Sequence, residues 1–500
     1  MSVPAMKMHS TPTLADLLHG YSSAPGIPVA GIASDSRELA RGFLFLACEG
    51  ASSHGLDYLL QARDAGVSAV AWDSSTADAP DDIGVPMIAV ANLAQHLGDI
   101  ANRFYGHPSS HLRTIGVTGT NGKTTVAWMI KDCLRQLDQR CGYIGTLGFG
   151  LNELQMAEGM TTPAAVELHG RLAGFVDQQA THAAIEVSSH ALSQGRVDGV
   201  EFDAALFTNL TRDHLDFHGD MRRYFESKAR LFLSHPSRHK IINIDSEFGA
   251  ELAGRCDRNV VSVSTELDRV AGDQRYVFVR SVHATENGSE ITVSTSWGDG
   301  NFKLPLVGDF NVANAALVLA YLLTAGIDIG QACDVLALVE PPPGRMQKIP
   351  AHGSSIYVDY AHTPDAIESA LRALRPHIEG NIWCVFGCGG DRDIGKRPLM
   401  GGLVERFADR IVVTTDNPRN EDPKKIIEGI LAGLGNAGKA IVIEDRAAAI
   451  AWTIAEAELS DAVLIAGKGH EDYQEVAGER RPFSDAAMAA AAAARKEGER

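Results

Sequence analysis

The stretch from Leu112 to Leu137 constrains the fold of this chain more than any other. It begins with apolar residues typical of a buried strand, passes through the run Gly116-Val117-Thr118-Gly119-Thr120-Asn121-Gly122-Lys123-Thr124-Thr125, and ends in apolar residues at helical spacing. A strand, a glycine-rich turn and a helix in that order form a phosphate cradle, because backbone N–H groups and the positive end of the helix point at an anion. In such a cradle Lys123 meets the β- and γ-phosphates and the Thr124 hydroxyl ligates Mg²⁺.

One position departs from the strict pattern G-x-x-x-x-G-K-[ST], because Val117 stands where that pattern has glycine. The alternative interpretation is an ordinary glycine-rich turn that carries a solvated lysine. A strand before the turn and an amphipathic helix after it favour the phosphate cradle.

Length and charge exclude several classes of protein. With 500 residues the chain is too long for a single core and predicts about three domains. Its formal net charge of −18 argues against nucleic acid and anionic membranes as partners, since both are bound through an excess of basic residues. Any phosphate ligand must therefore be bound by cations that the fold gathers locally.

Cysteine usage and hydropathy indicate the compartment. The 7 cysteines are scattered, odd in number and without the paired spacing of a zinc site, which indicates a reducing compartment and no structural metal. No segment is apolar enough for a signal peptide or a membrane span. We therefore expect a cytoplasmic protein without membrane insertion, and a monomer.

Short apolar runs alternate with helix-like segments along the chain, which predicts an α/β fold with three domains. The run Pro341-Pro342-Pro343 marks the last boundary, Asn287-Gly288 turns a hairpin, and the alanine-rich tail from Ala486 to Arg500 predicts a surface helix that frays into solvent. The predicted domains are a small N-terminal α/β domain at residues 1–110, a central P-loop ATPase domain with a mainly parallel sheet at 111–340, and a C-terminal Rossmann-like, doubly wound domain at 341–500.

Two residues near predicted strand ends could hold a metal ion beside the cradle. Glu186 ends an apolar strand, and His214 follows a neighbouring one. A carboxylate at that place is suited to Mg²⁺, whereas a histidine is a less usual ligand for it. The structural alternatives are a helix-capping glutamate and a hydrogen-bonded histidine.

The segments on either side of the last domain boundary carry further candidates. Arg345 follows the proline run, and its guanidinium could reach the γ-phosphate when domains close, or could form only a surface ion pair. Asn311 and Asn314 lie near the start of an apolar helix and could be only cap and turn residues.

Loops of the C-terminal domain combine both signs of charge. A site of this kind suits a zwitterion such as an amino acid, because arginines pair with carboxylates and acidic oxygens accept from an ammonium. The cations are Arg392, Lys396, Arg397 and Arg419, and the acceptors are Asp416, Asn417 and Glu471.

Taken together, these motifs resemble the Mur ligase family over nearly the whole chain. The resemblance rests on Gly119 to Thr125, Glu186-Val187-Ser188-Ser189-His190, Asn209 to His218, Asn311 and Asn314, Pro343-Gly344-Arg345, Asp359 to Pro364, Gly387 to Arg397, Asp416 to Arg419, and Gly467 to Glu471. Val117 is normal for this family. Within it, the chain resembles the members that add meso-diaminopimelate.

The resemblance implies an ATP- and Mg²⁺-dependent amide-bond-forming ligase of peptidoglycan precursor synthesis. ATP would phosphorylate the D-Glu γ-carboxylate of UDP-MurNAc-L-Ala-D-Glu, and the amine of meso-diaminopimelate would attack the acyl phosphate. Charge developing on the phosphoryl group would be offset by Mg²⁺, Lys123 and Arg345. The implied ATP-binding residues are Gly119, Thr120, Asn121, Gly122, Lys123, Thr124, Thr125, Asn311 and Arg345, and the implied catalytic residues are Lys123, His214, Lys228 and Arg345.

The resemblance also implies a modified lysine. In this family a lysine within Tyr-x-x-x-Lys is carbamylated to bind Mg²⁺, and Tyr224 and Lys228 match that spacing. The implied metal ligands are Thr124, Glu186, His214 and Lys228 as its carbamate (N6-carboxylysine).

The remaining implied contacts belong to the two other substrates. Met160 stands where a close relative can have asparagine, so one polar contact departs from the family pattern. Ser34, Ser36, Ala51, Ser52 and Ser53 would bind the uridine diphosphate, Thr161, Thr162, Ser188, Gln194 and Arg196 would bind the muramoyl-dipeptide, and Arg392, Asp416, Asn417, Pro418, Arg419, Gly467 and Glu471 would bind diaminopimelate.

The choice of diaminopimelate over lysine depends on Arg419. Diaminopimelate has a distal carboxylate that can pair with this guanidinium, whereas lysine would leave it desolvated and unpaired, and such a mismatch can reach about 10⁴-fold in discrimination. The alternatives are a related ligase that adds lysine, a folylpolyglutamate-type ligase, and, from a different class, a P-loop motor or switch ATPase.

Overall fold

The computed structural model describes residues 11–50, 53–156, 159–266, 275–351 and 353–498. These residues pack as two compact units. The first contains the described residues up to Ser262 together with Arg275, and the second contains the others. The division by compactness thus falls well before the proline run at 341–343.

The first unit begins with a small α/β layer. Its four strands lie in the order β1-β2-β3-β4 and are all parallel, with Leu44 and Leu46 buried against the helices. The carboxyl ends of β1 and β2 therefore lie side by side, just before Ser34 and the loop containing Ser53. The elements are α1 (Leu14–Leu17), β1 (Gly31–Ala33), β2 (Phe43–Ala47), α2 (Leu59–Ala65), β3 (Ala69–Asp73), β4 (Met87–Val90) and α3 (Leu93–Phe104).

A second sheet in this unit has β5 at its centre. Its strands lie in the order β10-β9-β5-β8-β6-β7, and every pair is parallel except β6 with β7. The elements are β5 (Arg113–Thr118), α4 (Lys123–Gln136), β6 (Cys141–Gly145), β7 (Gly148–Gly150), α5 (Ala165–Asp177), β8 (His182–Glu186), α6 (Ser189–Ser193), β9 (Phe202–Phe207), α7 (Leu215–His218), α8 (Met221–Leu233), β10 (Ser237–Asn243) and α9 (Glu247–Arg255), followed at the limit of the unit by β11 (Val260–Ser264).

The second unit opens with three antiparallel strands. β12 (Arg275–Thr285) and β13 (Gly288–Thr295) pair up to Thr285 and Gly288, which confirms the hairpin predicted at Asn287-Gly288. β14 (Gly298–Leu304) completes the set, and α10 (Asp309–Thr324) and α11 (Ile329–Leu336) follow.

The remainder of this unit is a doubly wound sheet in the order β15-β16-β20-β17-β18-β19, with only β15 antiparallel. This confirms the predicted Rossmann-like arrangement, with polar loops at the carboxyl ends of the strands. The elements are β15 (Gln347–Ile349), β16 (Ser355–Asp359), α12 (Pro364–Leu374), β17 (Ile382–Phe386), α13 (Lys396–Phe407), β18 (Arg410–Val413), α14 (Pro423–Leu431), β19 (Ala440–Val442), α15 (Arg446–Glu456), β20 (Ala462–Ala466), a hairpin of β21 (Tyr473–Val476) and β22 (Glu479–Pro482), and α16 (Asp485–Gly498).

The C-terminal helix differs from the prediction of a fraying surface helix. In α16 the side chains of Ala489, Ala492 and Ala493 are buried in one apolar cluster with Ile450 and Ile454 of α15. Small side chains allow the two helices to approach closely. One face of this alanine-rich helix is therefore packed against α15, while Ala487, Ala490, Ala491 and Ala494 on the other face are exposed.

Candidate active site

The predicted phosphate cradle forms between β5 and α4. Gly122 precedes the helix with a φ of +84°, and Gly119 has a φ of +151°. A Cβ added at Gly119 would lie 1.8 Å from Thr208 Oγ1, so only glycine fits there. Of the residues predicted as the apolar face of the helix, Val126, Met129, Ile130, Cys133 and Leu134 are buried, whereas Leu137, which follows the helix as its C-cap, is only partly buried.

Residues that follow β9 hold the cradle in shape. The amide of Asn121 donates to Asn209 Oδ1 at 3.0 Å, and the Thr208 hydroxyl donates to the Asn121 carbonyl at 2.6 Å. The Thr120 hydroxyl lies 3.2 Å from the Tyr224 hydroxyl. The loop is thus fixed on both sides, as a preorganised anion site requires.

Two lysines converge on one carbonyl of the cradle. The Nζ atoms of Lys123 and Lys228 donate to the Gly119 oxygen at 2.9 and 2.7 Å. Lys228 is buried, with 1% of its surface exposed, and burial together with the charge of Lys123 lowers the pKa of Lys228 well below its usual range. Lys228 is therefore held toward its neutral, nucleophilic amine form.

The Glu186 carboxylate lies directly beside the cradle. Its Oε2 accepts from the Thr124 hydroxyl at 2.9 Å, and its Oε1 accepts from the Thr146 amide at 3.0 Å and from the Tyr143 hydroxyl. Glu186 is fully buried. The predicted pair Thr124 and Glu186 is thus brought together as two adjacent oxygen donors, which are the ligands that Mg²⁺ prefers.

His214 stands apart from that pair. It adopts a left-handed backbone with a φ of +52°, and 48% of its side chain is exposed. Its ring centroid lies 4.9 Å from that of His190 and 6.2 Å from that of Tyr224, and its Nε2 lies 3.5 Å from Asp213 Oδ2. The contacts of His214 to described residues place it near the Lys228 helix, while a metal contact of its own stays a prediction.

The residues assigned to the muramoyl-dipeptide form one connected network. The Thr162 hydroxyl donates to the Glu186 carbonyl at 2.7 Å and accepts from the Ser188 amide at 3.0 Å. Arg196 donates to the Thr162 carbonyl at 2.9 Å and also to the Gln194 side chain. The Thr161 hydroxyl lies 3.3 Å from that of Thr146, so this network reaches the Glu186 site.

The uridine diphosphate candidates lie at the carboxyl edge of the N-terminal sheet. Ser34 and Ser36 follow β1, and Ser36 is buried. The Ser53 hydroxyl lies 3.1 Å from that of Tyr58. The candidates Ala51 and Ser52 lie outside the described residues.

In the second unit, the residues predicted to bind the amino-acid substrate lie close together after the carboxyl ends of β18 and β20. Asn417 donates to Glu471 Oε2 at 2.8 Å, and a Cβ added at Gly467 would lie 2.5 Å from Asp416 Oδ2. The fully buried Lys468 donates to the Asn417 oxygen and to Glu471, both at 2.9 Å. Asp416, Asn417, Gly467 and Glu471 therefore form one cluster beyond the carboxyl ends of the strands, where a doubly wound sheet binds its ligands.

Arg419 has partners within the protein, contrary to the expectation that it would be unpaired without a ligand carboxylate. Its Nη1 donates to the Gly390 carbonyl at 2.7 Å, and its Nε lies 3.6 Å from Glu475 Oε2. A Cβ added at Gly389 would lie 2.9 Å from Arg419 Nη1 and 3.8 Å from Arg392 Cγ. Both arginines thus flank the same glycine, and the Pro418 carbonyl packs against the backbone of Gly390.

Two residues of the second unit that were predicted to bind ATP, Arg345 and Asn311, contact other residues of the same unit. The Arg345 guanidinium lies 4.4 Å above the Tyr360 ring, whose centroid is 5.3 Å from that of His470. Asn311 is buried, donates to the Val307 carbonyl at 2.9 Å and accepts from Asn314 at 3.2 Å. These contacts fit the turn role of Asn311, while ATP contacts of Asn311 and Arg345 stay predictions.

Comparison with known proteins identifies the family. The Mur ligase middle domain matches residues 117–322, the Mur ligase glutamate ligase domain matches residues 344–469, and the catalytic domain of the Mur ligase family matches residues 28–105. The UDP-N-acetylmuramoyl-L-alanyl-D-glutamate--2,6-diaminopimelate ligase of Chromobacterium violaceum is 44% identical over 465 residues, which cover 92% of this chain and 93% of that protein. The chain belongs to the Mur ligase family.

Other Mur ligases are similar over comparable lengths. A protein of the same name from Pseudomonas syringae pv. tomato is 44% identical over 92% of this chain and 94% of its own length. A solved structure with that name has a TM-score of 0.73 at 32% identity and covers 98% of this chain and 100% of its own. A folylpolyglutamate synthase of Mycobacterium tuberculosis has a TM-score of 0.61 at 19% identity, covers 79% of this chain and 94% of its own, and shows a shared fold alone.

The matches confirm the predicted α/β fold class with the three-domain architecture of Mur ligases. The residue limits of the domains stay a prediction. Within the described ranges, every helix is too short or too polar to span a bilayer. The same part of the chain contains no group of three or more His, Cys, Asp or Glu side chains that could hold a metal ion.

Sequence reasoning missed several residues of the candidate site. Tyr143 and Thr146 contact Glu186 because β6 is the parallel neighbour of β8, and a search of adjacent strand ends would have found them. Lys468 lies inside the motif Gly467 to Glu471, but its position in the sequence does not predict the contacts that it makes. Arg446 is buried beside the cluster of Asp416 and Gly467, and no motif around Arg446 in the sequence predicts that position.

Proposed function

We propose that this protein is an ATP-dependent ligase that joins meso-diaminopimelate to the D-Glu γ-carboxylate of UDP-MurNAc-L-Ala-D-Glu during peptidoglycan precursor synthesis. The observation that carries the choice of amino acid is the Arg419 guanidinium in the same cluster as acidic side chains. Glu475 Oε2 lies 3.6 Å from Arg419 Nε, and the Glu475 amide donates to Asn417 Oδ1 at 3.0 Å, so Arg419 adjoins the cluster that contains Asn417 and Glu471. A zwitterionic end with one ammonium and one carboxylate fits a site of both signs.

Activation of the carboxylate belongs to the first unit. A γ-carboxylate oxygen attacks the γ-phosphorus of ATP, the bond to ADP breaks, and an acyl phosphate forms. Lys123 and the N-terminus of α4 offset the charge on the phosphates. Thr124 and Glu186 would hold Mg²⁺, which neutralises phosphate charge when bound.

Lys228 suits the role of a carbamate. Its depressed pKa favours the neutral amine, which adds CO₂ with loss of one proton. The product is an anion, so the repulsion between Lys228 and Lys123 becomes an attraction. Without that change, protonation of Lys228 would place a second cation beside Lys123 at the Gly119 carbonyl.

Amide formation consumes the acyl phosphate. The diaminopimelate nitrogen attacks the carbonyl carbon, the bond to the phosphate oxygen breaks, and the nitrogen loses one proton. Asp416 and Glu471 supply acceptors for an ammonium group, while Arg392 and Arg419 supply donors for a carboxylate. We expect the protein to use ATP and Mg²⁺ as cofactors and to act as a monomer in the cytoplasm.

The test is a product assay with matched amino acids. Purified protein is incubated with ATP, Mg²⁺, UDP-MurNAc-L-Ala-D-Glu and either meso-diaminopimelate or L-lysine, and ADP release and product mass are measured. We expect one ADP per tripeptide with diaminopimelate and little product with lysine. Equal use of lysine would favour a lysine-adding ligase, and ATP hydrolysis that needs neither substrate would favour a P-loop motor or switch.

A further inference from the structure

Arg446 and Asp485 form an ion pair that is completely removed from solvent. Each side chain is 0% exposed. Arg446 Nε donates to Asp485 Oδ1 and Nη2 donates to Oδ2, both at 2.7 Å. Arg446 is the first residue of α15 and Asp485 the first of α16, so the pair joins the starts of two helices that also pack through apolar side chains.

The same guanidinium also binds two strand ends. Nη1 donates to the Thr415 carbonyl at 3.1 Å, and Nη2 donates to the Ala466 carbonyl at 3.0 Å. Thr415 immediately precedes Asp416, and Ala466 immediately precedes Gly467. Arg446 therefore fixes the two peptide segments from which the amino-acid cluster projects.

The geometry of the cluster depends on how these segments approach each other. A Cβ at Gly467 would lie 2.5 Å from Asp416 Oδ2 and 4.0 Å from Arg446 Nη2, so the two segments and the guanidinium are in direct contact. The charge of Arg446 acts on the carboxylates of both Asp416 and Glu471. The guanidinium thus supports the acidic half of the site by contact and by charge.

Stability alone does not account for such a pair. Removing an ion pair from water is costly, and well-packed apolar residues often stabilise a fold as well or better. A planar guanidinium with five N–H donors in a fixed fork can instead hold several acceptors in one defined geometry. Here the Asp485 carboxylate binds Nε and Nη2 and so orients the guanidinium plane, and the remaining hydrogen bonds of Nη1 and Nη2 go to the two carbonyls.

We infer that Arg446, oriented by Asp485 of the C-terminal helix, is a positioning residue for the amino-acid substrate. The inference rests on the proposed function, because it assigns the cluster to diaminopimelate. The C-terminal helix α16 then contributes to the amino-acid site indirectly, through the buried ion pair of Asp485 with Arg446.

The test uses Arg446→Lys and Asp485→Asn in the full chain. Lysine keeps the buried positive charge but cannot hold Asp485 and both carbonyls in one plane. We expect Arg446→Lys to raise the KM for diaminopimelate about 10- to 100-fold, as small displacements of positioning groups do, with the KM for ATP unchanged. Asp485→Asn keeps the shape and should give a smaller shift in the same direction.

Arg375→Lys is the matched control. Arg375 also binds one carboxylate and two carbonyls, namely Asp409, Ile378 and Gly380, but it lies before β17, at the opposite edge of the same sheet. It should leave the KM for diaminopimelate unchanged. Thermal unfolding of each variant is measured first, and assays are run well below the lowest midpoint.

Two outcomes would overturn the inference. One is an equal rise in the KM for ATP and for diaminopimelate in Arg446→Lys, and the other is the same diaminopimelate shift in Arg375→Lys. If Arg446→Lys does not fold, Asp485→Asn with an unchanged KM for diaminopimelate is equally decisive. Failure of the proposed function looks different, since the unmodified protein would then form no tripeptide with diaminopimelate.

Discussion

Replacing Arg419 by alanine tests how the site recognises the distal end of its amino acid. Arg419 has a φ of +52°, and alanine in the same backbone conformation adds no new backbone strain. Nη1 and Nε are directed at Gly390 and Glu475, whereas Nη2 makes no hydrogen bond to the described residues. Nη2 is therefore the guanidinium nitrogen that we expect to bind a substrate carboxylate.

The expected magnitude follows from those contacts. Losing a hydrogen-bonded ion pair with the distal carboxylate costs about 2–3 kcal/mol, which corresponds to about a 30- to 150-fold rise in the KM for diaminopimelate. Because Gly390 and Glu475 also serve Arg419 when lysine is bound, lysine does not leave the guanidinium unpaired. We therefore expect Arg419 to favour diaminopimelate over lysine by about 10²-fold in kcat/KM. That is less than the roughly 10⁴-fold expected for a guanidinium left wholly unpaired.

The assay compares both amino acids in both proteins. ADP release is followed at saturating ATP and UDP-MurNAc-dipeptide, and kcat/KM is measured for diaminopimelate and for lysine. Arg419→Ala should lower only the value for diaminopimelate, so the ratio between the two substrates should fall by the same factor. Arg481→Ala, on the exposed face of β22, is the control. The reasoning is refuted if the KM for ATP rises equally or if the substrate ratio does not change.

Three further predictions concern the first unit. Glu186→Gln keeps the shape of the side chain but removes its charge, so the Mg²⁺ concentration for half-maximal rate should rise at least about 10-fold, and a normal Mg²⁺ titration would contradict the assignment. Protein depleted of CO₂ should regain activity when bicarbonate is added, with a mass gain of one CO₂ at Lys228 by intact-protein mass spectrometry, whereas Lys228→Arg should show neither effect. Burial lowers the pKa of His169 from 6.5 to about 4. Between these two pH values the histidine is protonated in the unfolded chain but neutral in the folded protein, so the free energy of unfolding falls as the pH decreases from 6.5 to 4. His169→Gln should flatten the pH dependence of the unfolding free energy over that window by about 1.4 kcal/mol per pH unit, and an unchanged slope by denaturant titration would exclude His169 as the source.

Much of the site could be predicted because its residues lie at the ends of parallel strands. β5 and β8 are adjacent, with Val117 opposite Glu186, so a carboxylate ending the second strand necessarily approaches the phosphate loop that follows the first. The same rule predicted the cluster of Asp416 and Gly467 beyond β18 and β20. Fold class followed from the alternation of apolar strands and amphipathic helices.

Other elements were hidden by local composition. α13 contains Pro398, Gly401 and Gly402, which are typical of loops, so its local composition does not predict a helix. A Cβ at Gly401 would lie 2.3 Å from the Ile430 carbonyl of α14, so this glycine is required by helix packing. The alanine-rich tail was similarly misinterpreted, because its burial depends on α15.

The sequence by itself determined the phosphate loop, the strand-end carboxylate and the mixed charges of the last domain, because each is a local pattern with a fixed geometric consequence. Only the tertiary structure decided the protonation tendency of Lys228 and the role of Arg446. Lys228 meets the Gly119 carbonyl across 109 residues of chain, and Arg446 meets Asp485 across 39. Desolvation and charge at those atoms depend on which distant groups surround them, and no local pattern carries that information.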